Sequence, residues 1–454
     1  MSSAPSLAHY YCSYRSTASG KSREEDVPRV LLHFFPRLLG SFSQASLQFL
    51  RTLFEGLGTI SYNVSFWYQT MGTSQGGTTT PYNLSALKHG PDHLLVLVHG
   101  ILASPKDWTY AKAELKKQLG GKFLIYVSSS NTYIKTFSGI DGAGRRLAEE
   151  VLCVVQKTKS LKKISFLAHS LGGLFTRYAI AILYSSGSLY SSQHKDAIHS
   201  DDENPDKSER ISSLGQIAGL EPINFITLAT PHLGVRGRKQ LPFLLGLPFL
   251  EKLAAPLAPM LTGKTGRQLF ITDGKPEQPP LLLRMTSDSS DLKFISSLAA
   301  FKNRVLYANV SYDHMVGWRT SSIRRESELI KPPQHSLDGY KHIVNVRYCP
   351  PISSGGPRFP PEAAKAKEAA KNAPNTQNTA EYHDIVEEEM IHGLQRVGWK
   401  KVDVSFHSAF LPFFAHNNIH VKNEWLYNAG TGVIAHVADT LKQQESRSLI
   451  GASL

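Results

Sequence analysis

The sequence predicts an α/β fold: a mostly parallel central sheet with helices on both faces. Three observations carry that expectation. From about residue 90 onward, short continuous apolar runs alternate with amphipathic stretches of helical period. The runs are rich in Val, Ile and Leu without polar alternation, as strands covered on both sides must be. The chain has 454 residues, of which 41% are hydrophobic and only 19% charged. That is enough for a large core and excludes disorder throughout.

Taken in order, residues 93–99 (HLLVLVH) read as a buried strand. Ser104-Pro105-Lys106-Asp107 then looks like a helix start, with Ser as N-cap and Pro at the first position. A strand at 123–127 precedes a helix near 142–155, with Leu147, Val151 and Val154 on one face. A strand at 163–167 leads directly into a helix at 171–184. Further strands are expected at 223–228, 305–310 and 402–406, and a closing helix near 433–441. Strand–helix alternation of this kind implies parallel pairing through crossovers.

The domain is expected to occupy residues 90–445, with a lid insertion at about 235–300 and a flexible, proline-bearing insertion at about 330–380. Leu241–Leu261 is apolar but broken by four prolines, so it suits a lid or acyl-binding wall and not a membrane span. Residues 1–28 read as a disordered tail, Ser-rich and free of acid up to residue 23, which makes it a candidate transit peptide. Residues 29–89 read as an amphipathic extension whose basic face suits a membrane surface, and 446–454 as a C-terminal tail. No run is long and apolar enough to be read as a transmembrane helix.

The formal charge of +13 fits an anionic membrane surface. No nucleic-acid signature accompanies it, so no nucleic-acid partner is expected. Cys12, Cys153 and Cys349 are odd in number and widely spread. They give neither a disulfide framework nor metal spacing, which favours a reducing, intracellular setting, cytosolic or peripheral to a membrane. No cofactor or metal is expected. The Glu387–Glu389 run reads as a solvated helix face, and Gly263-Lys264-Thr265 lacks the strand that a phosphate loop requires.

The chemistry concentrates at Ala168-His169-Ser170-Leu171-Gly172-Gly173, between a strand and a helix. This is the context of a nucleophile elbow, G-x-S-x-G, with Ala168 in place of the first glycine. Small residues such as Ala168 and Gly172 are needed because the turn is sharp and its neighbours lie close. The helix that follows aims free amides at Ser170, which favours an oxyanion there. His99-Gly100-Ile101-Leu102 follows the first strand. Gly100 allows a turn that brings the amide of Ile101, or of Leu102, beside that of Leu171 as an oxyanion hole. A serine nucleophile then needs an acid and a histidine, in that chain order. Asp313, just past the 305–310 strand, is favoured over Asp288 and Asp291, which have no strand before them. His407 lies too close to the end of its strand, whereas His416 and His420 are both well placed and spacing does not separate them.

Six ordered motifs then resemble a known family: VLVHGI, FLAHSLGGLFTRYA, TLATPHLG, GKTGRQLF, YDHMVGWRTSSI and FFAHNNIHVK. Together they resemble the serine esterases of plants and fungi, lipase-like α/β-hydrolases whose yeast members include monoacylglycerol lipases. The resemblance spans about residues 90–440. It implies Ser170 as nucleophile, Asp313 as acid and His416 as base, with His420 the alternative on spacing, and a cap after Thr230–Gly234. The expected activity is hydrolysis of a lipid acyl ester, such as an acylglycerol or lysolipid, at a membrane or lipid-droplet surface. Readings from other classes are an acyltransferase or thioesterase using the same residues, and a catalytically silent membrane-associated interaction domain.

Overall fold

The computed structural model describes residues 90–186, 215–235, 263–275, 278–331, 335–337, 339–353 and 380–452. The amphipathic extension at 29–89 and the 241–261 stretch lie outside the described residues.

Seven strands form one sheet: β1 His93–Val98, β2 Phe123–Val127, β3 Lys163–His169, β4 Glu221–Leu228, β5 Asn303–Asn309, β6 Ile343–Cys349 and β7 Trp399–Val404. Their order is β2-β1-β3-β4-β5-β7-β6, parallel throughout except for β6, which pairs antiparallel with β7 at one edge. Alternate residues of each strand feed two separate cores. Leu94, Val96 and Val98 of β1 face one, with Phe166 of β3 and Phe225 of β4. Leu95 and Leu97 face the other, with Leu167, Ile226 and Leu228.

Helices α1 Thr109–Leu119, α2 Ile140–Lys157, α3 Gly172–Leu183, α4 Trp318–Ser322, α5 Ala380–Gln395, α6 Ala415–Asn418 and α7 Thr431–Ala452 complete the framework. Leu147 and Val151 of α2, Leu174 and Phe175 of α3, and Met390 and Leu394 of α5 cover the first face. Leu115 of α1 and Val433, Val437 and Leu441 of α7 cover the second. Burying each Leu, Ile or Val contributes about 1.5–3 kcal/mol, so this two-sided layering is the main source of stability.

Four expectations need correction. The 330–380 segment contains β6, an edge strand whose IVNVRYC sequence is buried only at its start. Glu387–Glu389 on α5 are half-buried. There Arg319 lies 3.2 Å from Glu387, and Arg325 Nε donates to Glu388 at 2.9 Å. Residues 263–300 pack into the core through Leu281, Leu282, Met285, Phe294 and Leu298, so this part of the expected lid is structural. The expected C-terminal tail continues α7 as far as Ala452. The GKTGRQLF motif is also structural. Thr265 Oγ1 accepts from the Gly139 amide at 2.9 Å, and Gln268 Oε1 accepts from the Ile140 amide at 2.6 Å, which satisfies the free N–H groups where α2 begins.

Candidate active site

In a parallel sheet the loops leaving the strand ends share one edge, and the singled-out residues meet there. Ser170 sits between β3 and α3 at φ +54°, a left-handed conformation that is strained for a non-glycine residue. Neighbouring strands hold it. The Ser170 amide donates to the Leu228 carbonyl at 2.9 Å. The Ser170 carbonyl accepts from Thr230 Oγ1 at 2.8 Å and from the Gly173 amide at 3.1 Å.

The small residues are needed where the sequence placed them. A Cβ at Gly172 would lie 2.5 Å from the Val98 carbonyl oxygen, and one at Gly100 would lie 2.7 Å from Ser170 Cβ. Ala168 is fully buried between β1 and β4, where a methyl is accommodated.

His416, at the start of α6, lies between the other two groups. Its Nε2 is 3.0 Å from Ser170 Oγ and its Nδ1 is 3.0 Å from Asp313 Oδ2. Asp313 is buried just past β5, in the loop that leads into α4. Its Oδ2 also accepts from Asn309 Nδ2 at 2.8 Å, and its Oδ1 accepts from the Met315 and Val316 amides, each at 2.9 Å. Burial pushes its carboxyl upward, but His416 beside it and these donors outweigh burial and hold it below its ordinary value. It is therefore an anion at neutral pH.

His420 does not reach Ser170 in this way. It is buried and stacks on His169 with ring centres 3.8 Å apart, with Trp108 edge-on at 5.5 Å. His169 Nε2 in turn donates to the His416 carbonyl at 2.9 Å. Burial, then neighbouring His420 and His416, push the His169 imidazole well below its ordinary pKa. Burial and Lys422 do the same for His420. Both are neutral spacers behind His416. His407 hydrogen-bonds Tyr312 OH at 2.9 Å.

Of the two amides expected beside that of Leu171, that of Leu102 donates to Thr136 Oγ1 at 3.2 Å. Among the described residues, neither Ile101 nor Leu171 spends its amide on a hydrogen bond. His99 is buried, and its Nδ1 donates to the Gly100 carbonyl at 3.2 Å. Asp288 serves as a local cap, accepting from the Ile295 and Ser296 amides.

Three supporting residues escaped the sequence reading. Asn309 stands four residues before Asp313 at a strand end, and Thr230 lies within TLATPHLG; both face the site from neighbouring strand ends. Thr320 is the third: it accepts from the Leu233 amide at 3.0 Å and donates to the Gly234 carbonyl at 2.7 Å, tying α4 to the segment carrying Thr230.

Residues 88–323, just over half of the chain, match the family model described as "Putative serine esterase (DUF676)". The chain is 28% identical over 264 residues to "Putative lipase C4A8.10" of Schizosaccharomyces pombe, covering 55% of this chain and 29% of that protein. It is 29% identical over 235 residues to "Putative lipase YDL109C" of Saccharomyces cerevisiae, covering 51% and 30%. The matched region thus spans about 30% of the length of these curated relatives. Among solved structures, phospholipase PlaB from Legionella pneumophila aligns over 49% of this chain and 40% of its own, with 12% identity and a TM-score of 0.27. That overlap is too loose to speak to activity.

Proposed function

This chain belongs to the serine esterase family matched by residues 88–323, and on that premise we propose that it hydrolyses the acyl ester of a lipid through an acyl-enzyme on Ser170. The observation that carries the reading is the continuous line from Ser170 Oγ through His416 to Asp313, with both contacts at 3.0 Å. Hydrogen-bond reach of this kind is what proton transfer needs.

His416 Nε2 takes the Ser170 proton as Oγ attacks the ester carbonyl. Asp313 holds the other imidazole nitrogen in its N–H form and stabilises the imidazolium that develops. The Leu171 and Ile101 amides receive the oxyanion. His416 then returns the proton to the leaving alcohol, and water, activated by the same imidazole, releases the fatty acid. An acylglycerol or lysolipid fits the exposed apolar side chains that neighbour site residues in sequence, Leu102, Met315 and Phe414, and the relatives that carry the name "Putative lipase".

Pre-steady-state hydrolysis of a p-nitrophenyl ester tests the acyl-enzyme. A burst of one p-nitrophenol per chain, absent in Ser170→Ala, is expected. Steady turnover unaffected by Ser170→Ala would overturn the reading.

A further inference from the structure

Most of the large apolar side chains exposed among the described residues crowd one edge of the molecule. They sit on loops that begin at the C-terminal ends of β1, β2, β5 and β7, the edge that also bears Ser170, Asp313 and His416. On one side are Leu102, Tyr133 and Ile134, 49–63% exposed. Their two loops are joined: the Tyr133 amide donates to the Ala103 carbonyl at 3.0 Å, and the Leu102 amide to Thr136. On the other side Phe413 packs on Tyr312 and His314, next to Met315. On the same loop as Phe413, Phe410 is 95% and Trp425 79% exposed.

Leu102 is one residue from Ile101, Met315 is two from Asp313, and Phe414 is two before His416. The apolar rim therefore brackets the nucleophile. Soluble proteins rarely gather so many exposed large apolar side chains on one edge, as the described residues do here, without a use for them.

The rim carries little charge. In these four loops the charged residues are Lys106, Asp107, Lys135, Asp313, Lys422 and Glu424. Asp313 is committed to His416, and Asp107 pairs with Lys422 at 3.3 Å. Among the described residues of these loops Lys106, Lys135 and Glu424 remain, an excess of one positive charge, which is too little to select an anionic surface.

We propose that this face docks on the surface of an uncharged or zwitterionic lipid aggregate. Phe410 and Trp425 enter the interface, and Ser170 then faces the layer from which an acyl chain is drawn. The choice of occupant rests on the lipid-ester reading above. Attachment is apolar, so it differs from any pull the overall positive charge exerts on anionic membranes.

The test uses the full chain carrying Ser170→Ala, so that binding is read without turnover. Co-sedimentation with neutral phosphatidylcholine vesicles is expected at both ~0.1 and ~0.5 M salt, because apolar insertion escapes ionic screening. Adding Phe410→Ser and Trp425→Ser should weaken partitioning about tenfold or more, from the apolar area lost. With Ser170 intact, the same pair should leave hydrolysis of a water-soluble ester unchanged and depress hydrolysis of a vesicle-borne ester. The Trp425 contribution to emission, taken as wild type minus Trp425→Phe, should be quenched by brominated phosphatidylcholine.

Unchanged sedimentation of the double variant would overturn the proposal. So would binding confined to anionic vesicles and abolished by salt, or a wild-type dimer that the double substitution converts to monomer. Failure of wild type to hydrolyse the soluble ester would instead strike the lipid-ester reading, because sedimentation does not depend on catalysis.

Discussion

Replacing Asp313 by Asn changes almost no shape, yet it should nearly abolish activity. Every group around the Asp313 carboxylate is a donor: the Met315 and Val316 amides on Oδ1, and Asn309 Nδ2 and His416 Nδ1 on Oδ2. Asparagine must set an NH2 against one of these pairs. The two backbone amides are fixed. Asn309 can turn its side chain over, and its Oδ1 is buried with no hydrogen bond among the described residues. His416 can move its proton from Nδ1 to Nε2. The NH2 therefore takes the Oδ2 position and His416 presents N–H to Ser170, a tautomer unable to accept the serine proton.

The expected loss in kcat is about 10⁴-fold, the scale known for such a tautomer switch, or about 5 kcal/mol of barrier. Folding stability should change by no more than about 1–2 kcal/mol, because the rearranged contacts are satisfied. Asp313→Ala leaves the imidazole free to sample both tautomers, so its loss should be no larger. The assay is kcat on a water-soluble p-nitrophenyl ester near neutral pH, paired with a urea midpoint. An Asp313→Asn protein that is folded and retains more than a tenth of wild-type kcat would show that Asp313 does not set the His416 tautomer.

Other substitutions probe the scaffold around the triad. Gly100→Ala should lower kcat by about 10²-fold with KM little changed, since the new methyl meets Ser170 and displaces it; an unaltered kcat would contradict the close approach. His169→Phe keeps an aromatic ring beside His420 but cannot donate to the His416 carbonyl, so kcat should fall with KM and urea midpoint nearly unchanged. Arg324→Met leaves Asp403 buried without its cation, although Trp318 Nε1 and Asn345 Nδ2 still donate to it at 2.9 Å. The loss should be about 3 kcal/mol, the low end for a broken buried pair, read from the urea midpoint. His169, His232 and His420 are buried with pKa values well below 6.5. Below about pH 6.5 the unfolded chain binds protons there that the folded chain does not, so stability falls as pH drops. Each contributes up to about 1.4 kcal/mol per pH unit, and His420→Phe should flatten the midpoint's slope between about pH 7 and 5.

The sheet was legible where strands are buried on both faces. HLLVLV and KISFLAH form strands where strands were expected, because a short apolar run at that depth leaves little other choice. β6 was not legible: as an edge strand it buries only its first residues, and surrounding prolines gave the segment the look of a loop. The burial of α5 was hidden for a related reason. Glu387–Glu389 read as solvent-facing, but their partners Arg319 and Arg325 come from some sixty residues earlier.

At the site, the elbow could be read because steric need dictates small residues around Ser170. His416 and His420 could not be separated by spacing, since both lie in one short segment. Their difference is three-dimensional: His169, next to the serine in sequence, takes up the His420 ring and steadies the His416 backbone.

The proposed mechanism requires above all that Ser170 be an activated nucleophile. Fluorophosphonate probes react with a serine whose proton is drawn off by a positioned base, and leave ordinary serines unlabelled. Purified wild-type protein should be labelled, Ser170→Ala should not, and Asp313→Asn should label far more slowly. Equal labelling of wild type and Ser170→Ala, or a folded wild type that stays unlabelled with and without lipid vesicles, would show that Ser170 is not an activated nucleophile.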